Sequence, residues 1–266
     1  MAEGRGVPTI ILCGGRGTRI IEVNARLPKP MLPIGERPML WHIMKTYAAH
    51  GHTDFVLALG WLGDEIRRYV LDMHALVSDF RVELGGPGSV EHLRAAAEAT
   101  WREACIETGA HALTATRVRR AASHLGDGPV MVTYGDGIAD IDVSALLAHH
   151  RAHGKLATVT AVRPPGRFGE LVLGAGGSVE RFDEKPSGQG PINGGFLVLE
   201  REAIERFIPV DADVMLEREP LEALAAAGEL VAYEHHGFWQ PVDTPAEREL
   251  LEGLWADGSA PWSTAW

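Results

Sequence analysis

A short apolar segment that runs straight into a glycine-rich turn constrains the fold of this chain more than any other feature. Residues 7–12 are apolar and rich in β-branched side chains, a pattern typical of a buried strand. Glycine then occupies positions 14, 15 and 17. Because glycine accepts positive φ angles and lets a ligand approach the backbone, such a turn can present successive N–H groups to an anion. The segment predicts a phosphate site at the end of the first strand.

Three side chains near this turn add further groups that bind phosphate. Thr18 supplies a hydroxyl, and Arg19 and Lys29 supply positive charges. The turn is not a P-loop, because no Lys-Ser/Thr pair follows its last glycine. It is not a dinucleotide fingerprint either, because Ile20 stands where that motif needs glycine or alanine. An ordinary tight turn is the alternative, but this density of glycine and cations favours a polyphosphate site.

Predicted strands and helices alternate along the chain. Apolar residues recur at helical spacing in 40–47, and apolar runs typical of strands span 54–60, 129–134 and 156–162. A βαβα order predicts a parallel sheet with right-handed crossovers. The predicted fold class is α/β, with a mostly parallel mixed central sheet flanked by helices. At 266 residues, one domain over 1–266 is sufficient.

The composition limits the partners and the location. The formal net charge of −11 argues against a nucleic-acid partner, because such a surface repels a polyanion. No apolar run is long enough to span a membrane, and residues 1–6 lack the apolar core of a signal peptide. Two isolated cysteines, Cys13 and Cys105, fit neither a disulfide framework nor a zinc cluster. We therefore expect a cytoplasmic protein.

Two aspartates are candidate metal ligands. Asp136 lies between two glycines directly after a predicted strand, where a turn is the simple explanation and a ligand site at the carboxyl edge of a sheet is the functional one. Asp243 lies just before a predicted helix, where it could be an N-terminal cap. The histidines at 149, 150 and 153 are expected to be packing or surface residues, since no further ligand spacing supports a metal cluster.

Several segments together carry a resemblance to a known family. Gly-Gly-x-Gly-Thr-Arg at 14–19 followed by Lys-Pro at 29–30 resembles the signature of the sugar-1-phosphate nucleotidyltransferases, and further likeness covers nearly the whole chain. It lies at 40–45, 133–137, 164–169, 192–196 and 235–241. Within this family the chain is most similar to the glucose-1-phosphate cytidylyltransferases. The resemblance implies a single Rossmann-like domain, with a nucleotide-binding part at about 7–137 and a sugar-phosphate part with the C-terminal tail at about 138–266.

The resemblance also implies a reaction and its residues. A nucleoside triphosphate, CTP in the first place, reacts with a hexose-1-phosphate, α-D-glucose 1-phosphate in the first place, and pyrophosphate leaves. Mg²⁺ is the implied cofactor, held by Asp136 and Asp243, and a homo-oligomer is expected. The implied catalytic residues are Arg19, Lys29, Asp136 and Lys185. The implied nucleotide-binding residues are Leu12, Gly14, Gly15, Gly17, Thr18, Arg19, Lys29, Thr108, Gly109, Arg117 and Gly135. The implied sugar-phosphate residues are Tyr134, Glu184, Lys185, Asn193 and Gly195.

The chain departs from the family pattern in two places that concern the nucleotide. Ala115-Thr116 replaces a Gly-Gly pair, so we expect their side chains to narrow the approach of the base, and Leu27 stands where the family has a second lysine. Other nucleotides (dTTP, UTP or GTP) or another sugar-1-phosphate therefore stay open. A non-catalytic regulatory protein that binds a nucleotide-sugar is the alternative of another class.

Overall fold

The computed structural model of the protein describes residues 6–15, 27–83, 90–93, 97–164, 170–173, 179–183 and 190–266. The strands, in chain order, are β1 (Thr9–Leu12), β2 (Pro33–Ile34), β3 (Arg37–Pro38), β4 (Asp54–Leu59), β5 (Phe80–Val82), β6 (Val90–His92), β7 (Arg102–Glu107), β8 (Val130–Tyr134), β9 (Gly137–Ala139), β10 (Ala157–Val162), β11 (Glu170–Leu173), β12 (Val179–Asp183), β13 (Ile192–Leu199), β14 (Leu230–His235) and β15 (Trp239–Pro241). The α-helices are α1 (Met39–Ala49), α2 (Gly63–Val77), α3 (Thr114–Ala122), α4 (Val143–His153), α5 (Arg201–Phe207), α6 (Glu219–Ala226) and α7 (Pro245–Ala256).

A central sheet of seven strands organises the fold. Its order is β14-β10-β13-β8-β1-β4-β7. Strands β8, β1, β4 and β7 run parallel to one another, and β10 runs parallel to β14. Strand β13 is antiparallel to both of its neighbours, β10 and β8. The α/β class with a mostly parallel mixed sheet is therefore confirmed.

Both faces of this sheet are buried along β1, β4 and β8, which explains why these strands are continuous apolar runs. Along β1, Ile11 belongs to the apolar core on one face and Ile10 to the core on the other, and both are fully buried. Helix α1 packs on the Ile11 face and α3 on the Ile10 face. These layers fix the ends of β1, β4 and β8, where the site lies.

The tryptophan-rich C-terminal tail packs on the domain around a buried histidine. Trp262 and His42 are 1% and 0% exposed, and the rings of Trp255 and Trp266 also contact the His42 ring. The Trp262 indole N–H donates to His42 Nδ1 at 3.2 Å, so the Nε2–H of His42 donates to the Ile34 carbonyl at 2.9 Å. Burial lowers the pKa of His42 to about 4, although the bond to Ile34 opposes this shift. The ring is therefore neutral at pH 7.

In the middle of the chain, residues 97–100 form a 3-10 turn, and residues 94–96 lie outside the described residues. The histidines of α4 are packing residues: His150 contacts Thr158 Oγ1 at 2.8 Å and Glu200 at 3.2 Å. Each helix in the described segments is too short or too polar to cross a membrane.

Candidate active site

The glycine-rich turn begins where β1 leaves the sheet, beside the end of β8. The Gly135 N–H donates to the Leu12 carbonyl at 3.1 Å, so the two strand ends are joined directly after β8. A Cβ at Gly135 would lie 2.9 Å from that carbonyl oxygen and 2.7 Å from Pro30. Only glycine fits this contact. Leu12 and Gly135, both predicted as nucleotide-binding residues, thus shape the floor of the site through their backbones.

Lys29 and the two predicted metal ligands meet at this floor. The Lys29 Nζ lies 3.2 Å from Asp136 Oδ2 and 2.6 Å from Asp243 Oδ1. Burial alone lowers the pKa of Lys29, but the two carboxylates outweigh burial and the pKa is raised overall. The ammonium is therefore charged at neutral pH, and it holds together two carboxylates that would otherwise repel each other.

A short strand pair brings the two distant aspartates together. Strand β9 follows Asp136 and pairs antiparallel with β15, which precedes Asp243. The Val242 N–H then donates to the Asp136 carbonyl at 2.8 Å. Asp243 is not the cap of α7, so that alternative is wrong. Thr244 is the cap, in a reciprocal capping box with Glu247, and this leaves the Asp243 carboxylate directed to Lys29.

The chemistry of this pair fits the implied Mg²⁺. Magnesium prefers oxygen ligands and is commonly held by one or two carboxylates together with water and substrate phosphates. Asp136 and Asp243 both reach one nitrogen atom, so their oxygens are close enough to share one cation. Among the described residues, no group of three or more His, Cys, Asp or Glu side chains could hold a metal ion. Further ligands would therefore come from water and substrate.

A cavity of about 510 Å³ opens above Lys29 and Asp136. Gly14 and Gly15 form one side of it, residues 110–114 form another, and Met215 completes the wall. Gly15 has open space where a Cβ would stand, so its backbone is accessible from the cavity. The cavity is bordered by the predicted phosphate turn and by the base of the predicted metal site, as a polyphosphate ligand requires.

A second, smaller cavity of about 60 Å³ lies on the other side of Tyr134 and Asp136. Asn193, Gly195 and Trp239 line it. Gly195 has a φ of +87°, and a Cβ there would lie 2.5 Å from the Tyr134 ring. The Asn193 side-chain oxygen accepts the Gly195 N–H at 2.9 Å. Three predicted sugar-phosphate residues, Tyr134, Asn193 and Gly195, are therefore brought together.

Two residues that form or support these walls, Trp239 and Glu217, were not predicted from the sequence. Glu217 accepts a short hydrogen bond from the Tyr134 hydroxyl and a second one from Thr114 Oγ1 at 2.8 Å. Burial raises the pKa of Tyr134, and the nearby Glu217 carboxylate adds to this effect, so the hydroxyl stays protonated and donates. Trp239 donates its indole N–H to the Gly194 carbonyl at 2.8 Å. Glu217 sits among other charged residues and Trp239 among other aromatic ones, so neither stands out in the sequence.

Arg117 and Thr108, predicted to bind nucleotide, are engaged with the protein itself. Thr108 is fully buried, and its hydroxyl donates to the Leu59 carbonyl at 2.5 Å. The Arg117 guanidinium is only 4% exposed and donates to Leu59, Thr108 and Gly14. Gly109, with a φ of +97°, lies beside Arg120 at the start of the loop that leads into the larger cavity. Thr108 and Arg117 therefore support the glycine-rich turn from the side of the protein interior.

The expected narrowing of the base site by Ala115 and Thr116 is wrong. Both belong to the first turn of α3, where Ala115 is fully buried in the core under β1 and Thr116 is 9% exposed. The cavity wall is made by Leu113 and Thr114 instead. The helix starts at Thr114 and turns the next two side chains inward, so replacing Gly-Gly at 115–116 does not fill the cavity.

Five predicted site residues lie outside the described residues, and their roles stay predictions. They are Gly17, Thr18, Arg19, Glu184 and Lys185.

Comparisons with known proteins agree with this geometry. The family model described as nucleotidyl transferase matches residues 8–242. The chain is 45% identical to the glucose-1-phosphate cytidylyltransferase of Salmonella typhimurium, over 96% of this chain and 98% of that protein. It is 29% identical to a mannose-1-phosphate guanyltransferase of Schizosaccharomyces pombe, over 90% of this chain and 61% of that protein.

The fold also has solved counterparts. The structure of HddC from Yersinia pseudotuberculosis matches with a TM-score of 0.69 over 94% of this chain and 99% of that one, at 19% identity. At this identity the likeness concerns the fold alone. The family match, in contrast, extends from β1 to the segment between β15 and Asp243 and so includes both cavities. The chain therefore belongs to the nucleotidyl transferase family and is an enzyme of that family.

Proposed function

We propose that the protein transfers the cytidylyl group of CTP to α-D-glucose 1-phosphate, giving CDP-glucose and pyrophosphate. The observation that carries this proposal is that the two cavities share a wall made by Tyr134 and Asp136. One cavity has the volume for a nucleotide and the other borders the predicted sugar residues. A reaction that joins a nucleotide to a sugar phosphate needs this adjacency, because the two reacting groups must meet within bonding distance.

The substrates carry several negative charges, and the protein must bring them together. An oxygen of the sugar phosphate attacks the α-phosphorus in line, a new P–O bond forms, and the bond to the leaving pyrophosphate breaks. No general base is needed, since the sugar phosphate is already ionised near neutral pH. The main tasks of the protein are therefore to neutralise charge and to align the two phosphates.

Lys29 is placed for the first of these tasks. Its ammonium lies at the floor of the larger cavity, next to the wall that the two cavities share. We assign the triphosphate to Lys29 together with Arg19, and the sugar phosphate to Lys185, on the family pattern. Mg²⁺, held by Asp136 and Asp243, supplies positive charge to the phosphate oxygens when bound. Lys29 contacts both carboxylates, so its ammonium group and the metal ion would both neutralise negative charge at this place.

The choice of nucleotide rests on the relatives and on the corrected position of two residues. The chain shares 45% of its residues with an enzyme named for cytidylyl transfer, over nearly the full length of both chains. Ala115 and Thr116, which the sequence suggested as obstacles beside the base, do not line the cavity. Of the two departures that kept dTTP, UTP and GTP open as alternatives, Ala115-Thr116 thus loses its weight and Leu27 remains, and CTP is the substrate that we propose.

A direct assay tests this function. The purified protein is given Mg²⁺ and glucose-1-phosphate with CTP, UTP, dTTP or GTP in four separate reactions, and pyrophosphate release is measured. We expect CTP to be used fastest, with CDP-glucose identified by mass. A faster reaction with GTP would refute the cytidylyl assignment. Release with none of the four would instead favour the non-catalytic nucleotide-sugar-binding alternative. A cytoplasmic location and a homo-oligomeric state remain part of this proposal.

A further inference from the structure

Arg117 ties together the ends of three neighbouring strands directly behind the glycine-rich turn. It is the fourth residue of α3, and its guanidinium donates to the Leu59 carbonyl at the end of β4 at 2.9 Å, to Thr108 Oγ1 after β7 at 2.7 Å and to the Gly14 carbonyl after β1 at 3.0 Å. The planar guanidinium holds several donors in a fixed fork. One side chain thus sets the distance of the turn from the two strands beside it.

The positive charge of this group is not balanced by the protein around it. All three acceptors are uncharged oxygens, and no ion pair joins Arg117 to a carboxylate in the part of the chain that the structure describes. Burial lowers the pKa of Arg117, whereas Glu107 and Asp213 act in the opposite direction from farther away. Buried charges are normally paired. This one borders the cavity to which we assign the triphosphate.

Two glycines make room for the guanidinium. A Cβ at Gly14 would lie 2.0 Å from Arg117 Nη1, and a Cβ at Gly60 would lie 2.4 Å from the same atom. Gly14 belongs to the cavity wall, but Gly60 is buried behind it and does not line the cavity. The φ angle of Gly60 lies outside the left-handed region, so its backbone accepts alanine. A methyl group at position 60 would therefore displace the guanidinium without touching a ligand.

We propose that Arg117 is a positioning residue for nucleotide binding, which acts by holding the Gly14 carbonyl and by leaving its charge to be balanced by the triphosphate. The peptide between Gly14 and Gly15 is planar and trans. Fixing the direction of the Gly14 carbonyl therefore also fixes the direction of the Gly15 N–H, which belongs to the exposed part of the turn. This inference rests on the proposed function, because it takes a nucleoside triphosphate as the ligand.

The test uses Gly60→Ala in the full-length protein, with Gly126→Ala as the matched control. A Cβ at Gly126 meets nothing within 4 Å, so this variant should behave as wild type. Calorimetry measures the binding of CTP and of inorganic tripolyphosphate, a probe without a base. We expect Gly60→Ala to bind both about tenfold or more weakly, because displacing the guanidinium removes the charge-assisted bond that holds the Gly14 carbonyl and moves the positive charge away from the anion, and charge-assisted hydrogen bonds have effects of this size. The KM for CTP should rise in parallel, with a smaller change in the KM for glucose-1-phosphate.

Two further variants separate positioning from direct binding. Arg117→Lys keeps the charge but loses the fork, so we expect it to bind clearly more weakly than wild type and to recover only the part of the affinity lost in Arg117→Gln that charge alone supplies. A direct phosphate ligand would instead be largely rescued by lysine. In the Arg117→Gln background, Gly60→Ala should add little further loss, because both changes act on the same contact. If the Arg117 variants fail to fold, the single variant Gly60→Ala still decides whether Arg117 has the positioning role.

The outcomes distinguish this inference from the proposed function. Equal binding of tripolyphosphate by wild type and Gly60→Ala would overturn the positioning role, as would losses that simply add in the double variant. Faster turnover of another nucleoside triphosphate would refute the choice of CTP and leave the role of Arg117 unaffected. Absence of tripolyphosphate binding to a wild type that still turns over CTP would overturn this inference alone, whereas absence of both CTP binding and turnover would overturn both.

Discussion

Acid should destabilise this protein through one buried ring, His42. Its two nitrogens are committed in the neutral form: Nδ1 accepts the Trp262 indole N–H, and the Nε2–H donates to Ile34. Protonation would place a second N–H against the indole N–H, inside a cage of aromatic rings. The folded state therefore resists a proton that the unfolded chain takes up readily. The replacement His42→Gln removes the titrating group and keeps one donor and one acceptor.

The size of the effect follows from the pKa of His42, which burial lowers from 6.5 to about 4. A folded pKa below the unfolded value means that this contribution to stability is complete above pH 6.5 and is lost as the pH falls toward 4. Linkage gives a loss of about 2 kcal/mol at pH 5 and about 3 kcal/mol at pH 4. A loss of this size is a large fraction of the stability of an ordinary domain.

Urea unfolding of wild type and His42→Gln at pH 7, 6 and 5 measures this difference. His42→Gln should be less stable at pH 7 because it disturbs the aromatic packing, but its free energy of unfolding should fall by about 2 kcal/mol less between pH 7 and pH 5. Burial also lowers the pKa of His52 and of His150, but these residues are present in both proteins and cancel in the comparison. The exposed His236 provides a control variant, His236→Gln, which should follow wild type.

Parallel curves for wild type and His42→Gln would refute the reasoning. They would mean that protonating His42 costs no more in the folded protein than in the unfolded chain, so that water or rearrangement of the Trp262 contact accommodates the charge. A steeper acid loss in His42→Gln than in wild type would contradict the sign of the effect.

Two further predictions concern the chemistry. Replacing Asp136 or Asp243 by Asn should lower turnover roughly 100-fold or more, because each removes a carboxylate ligand of the Mg²⁺ that would supply positive charge to the reacting phosphates, while the melting temperature stays near that of wild type; the exposed Asp211→Asn is the control, and a normal rate in both site variants would sink the metal assignment. Lys185→Ala should raise the KM for glucose-1-phosphate about tenfold or more and change that for CTP little, because Lys185 is assigned to the sugar phosphate; Lys155→Ala, at an ion pair with Glu229, is the control, and equal effects on both KM values would contradict the role.

Strands β1, β4, β8 and β10 could be predicted from the sequence because consecutive apolar residues mark each of them, whereas β7 was not predicted. Runs such as 54–60 and 129–134 are apolar at successive positions, since both faces of the sheet are covered, and each is found as a strand. The direction of a strand, in contrast, cannot be predicted from an apolar run. Nothing in the residues 192–199 indicates that β13 runs antiparallel to β8 and β10, because an apolar run reads alike in both orientations.

The site residues were easier to predict where a side chain has one common role than where it has several. The convergence of Lys29, Asp136 and Asp243 agrees with the predicted roles, although only the pairing of β9 with β15 explains how residues so distant in sequence meet. Arginine binds carbonyl oxygens as readily as phosphates. The family resemblance implied Arg117 as a nucleotide ligand, and its contacts with three oxygens of the protein depend on the packing of α3, which the sequence pattern does not specify.

The reversed direction of β13 has a consequence for how this enzyme can diversify. Strand β10 ends, and β13 begins, at the edge of the sheet where Tyr134 and Asp136 lie, so the whole connection at 163–191 departs from and returns to the reaction centre. That connection carries β11 and β12, and it carries the predicted Glu184 and Lys185. If Glu184 and Lys185 bind the sugar phosphate as predicted, exchanging this connection would change the contacts with the acceptor, whereas β1, β4 and β7 lie on the opposite side of β8 and would be unaffected.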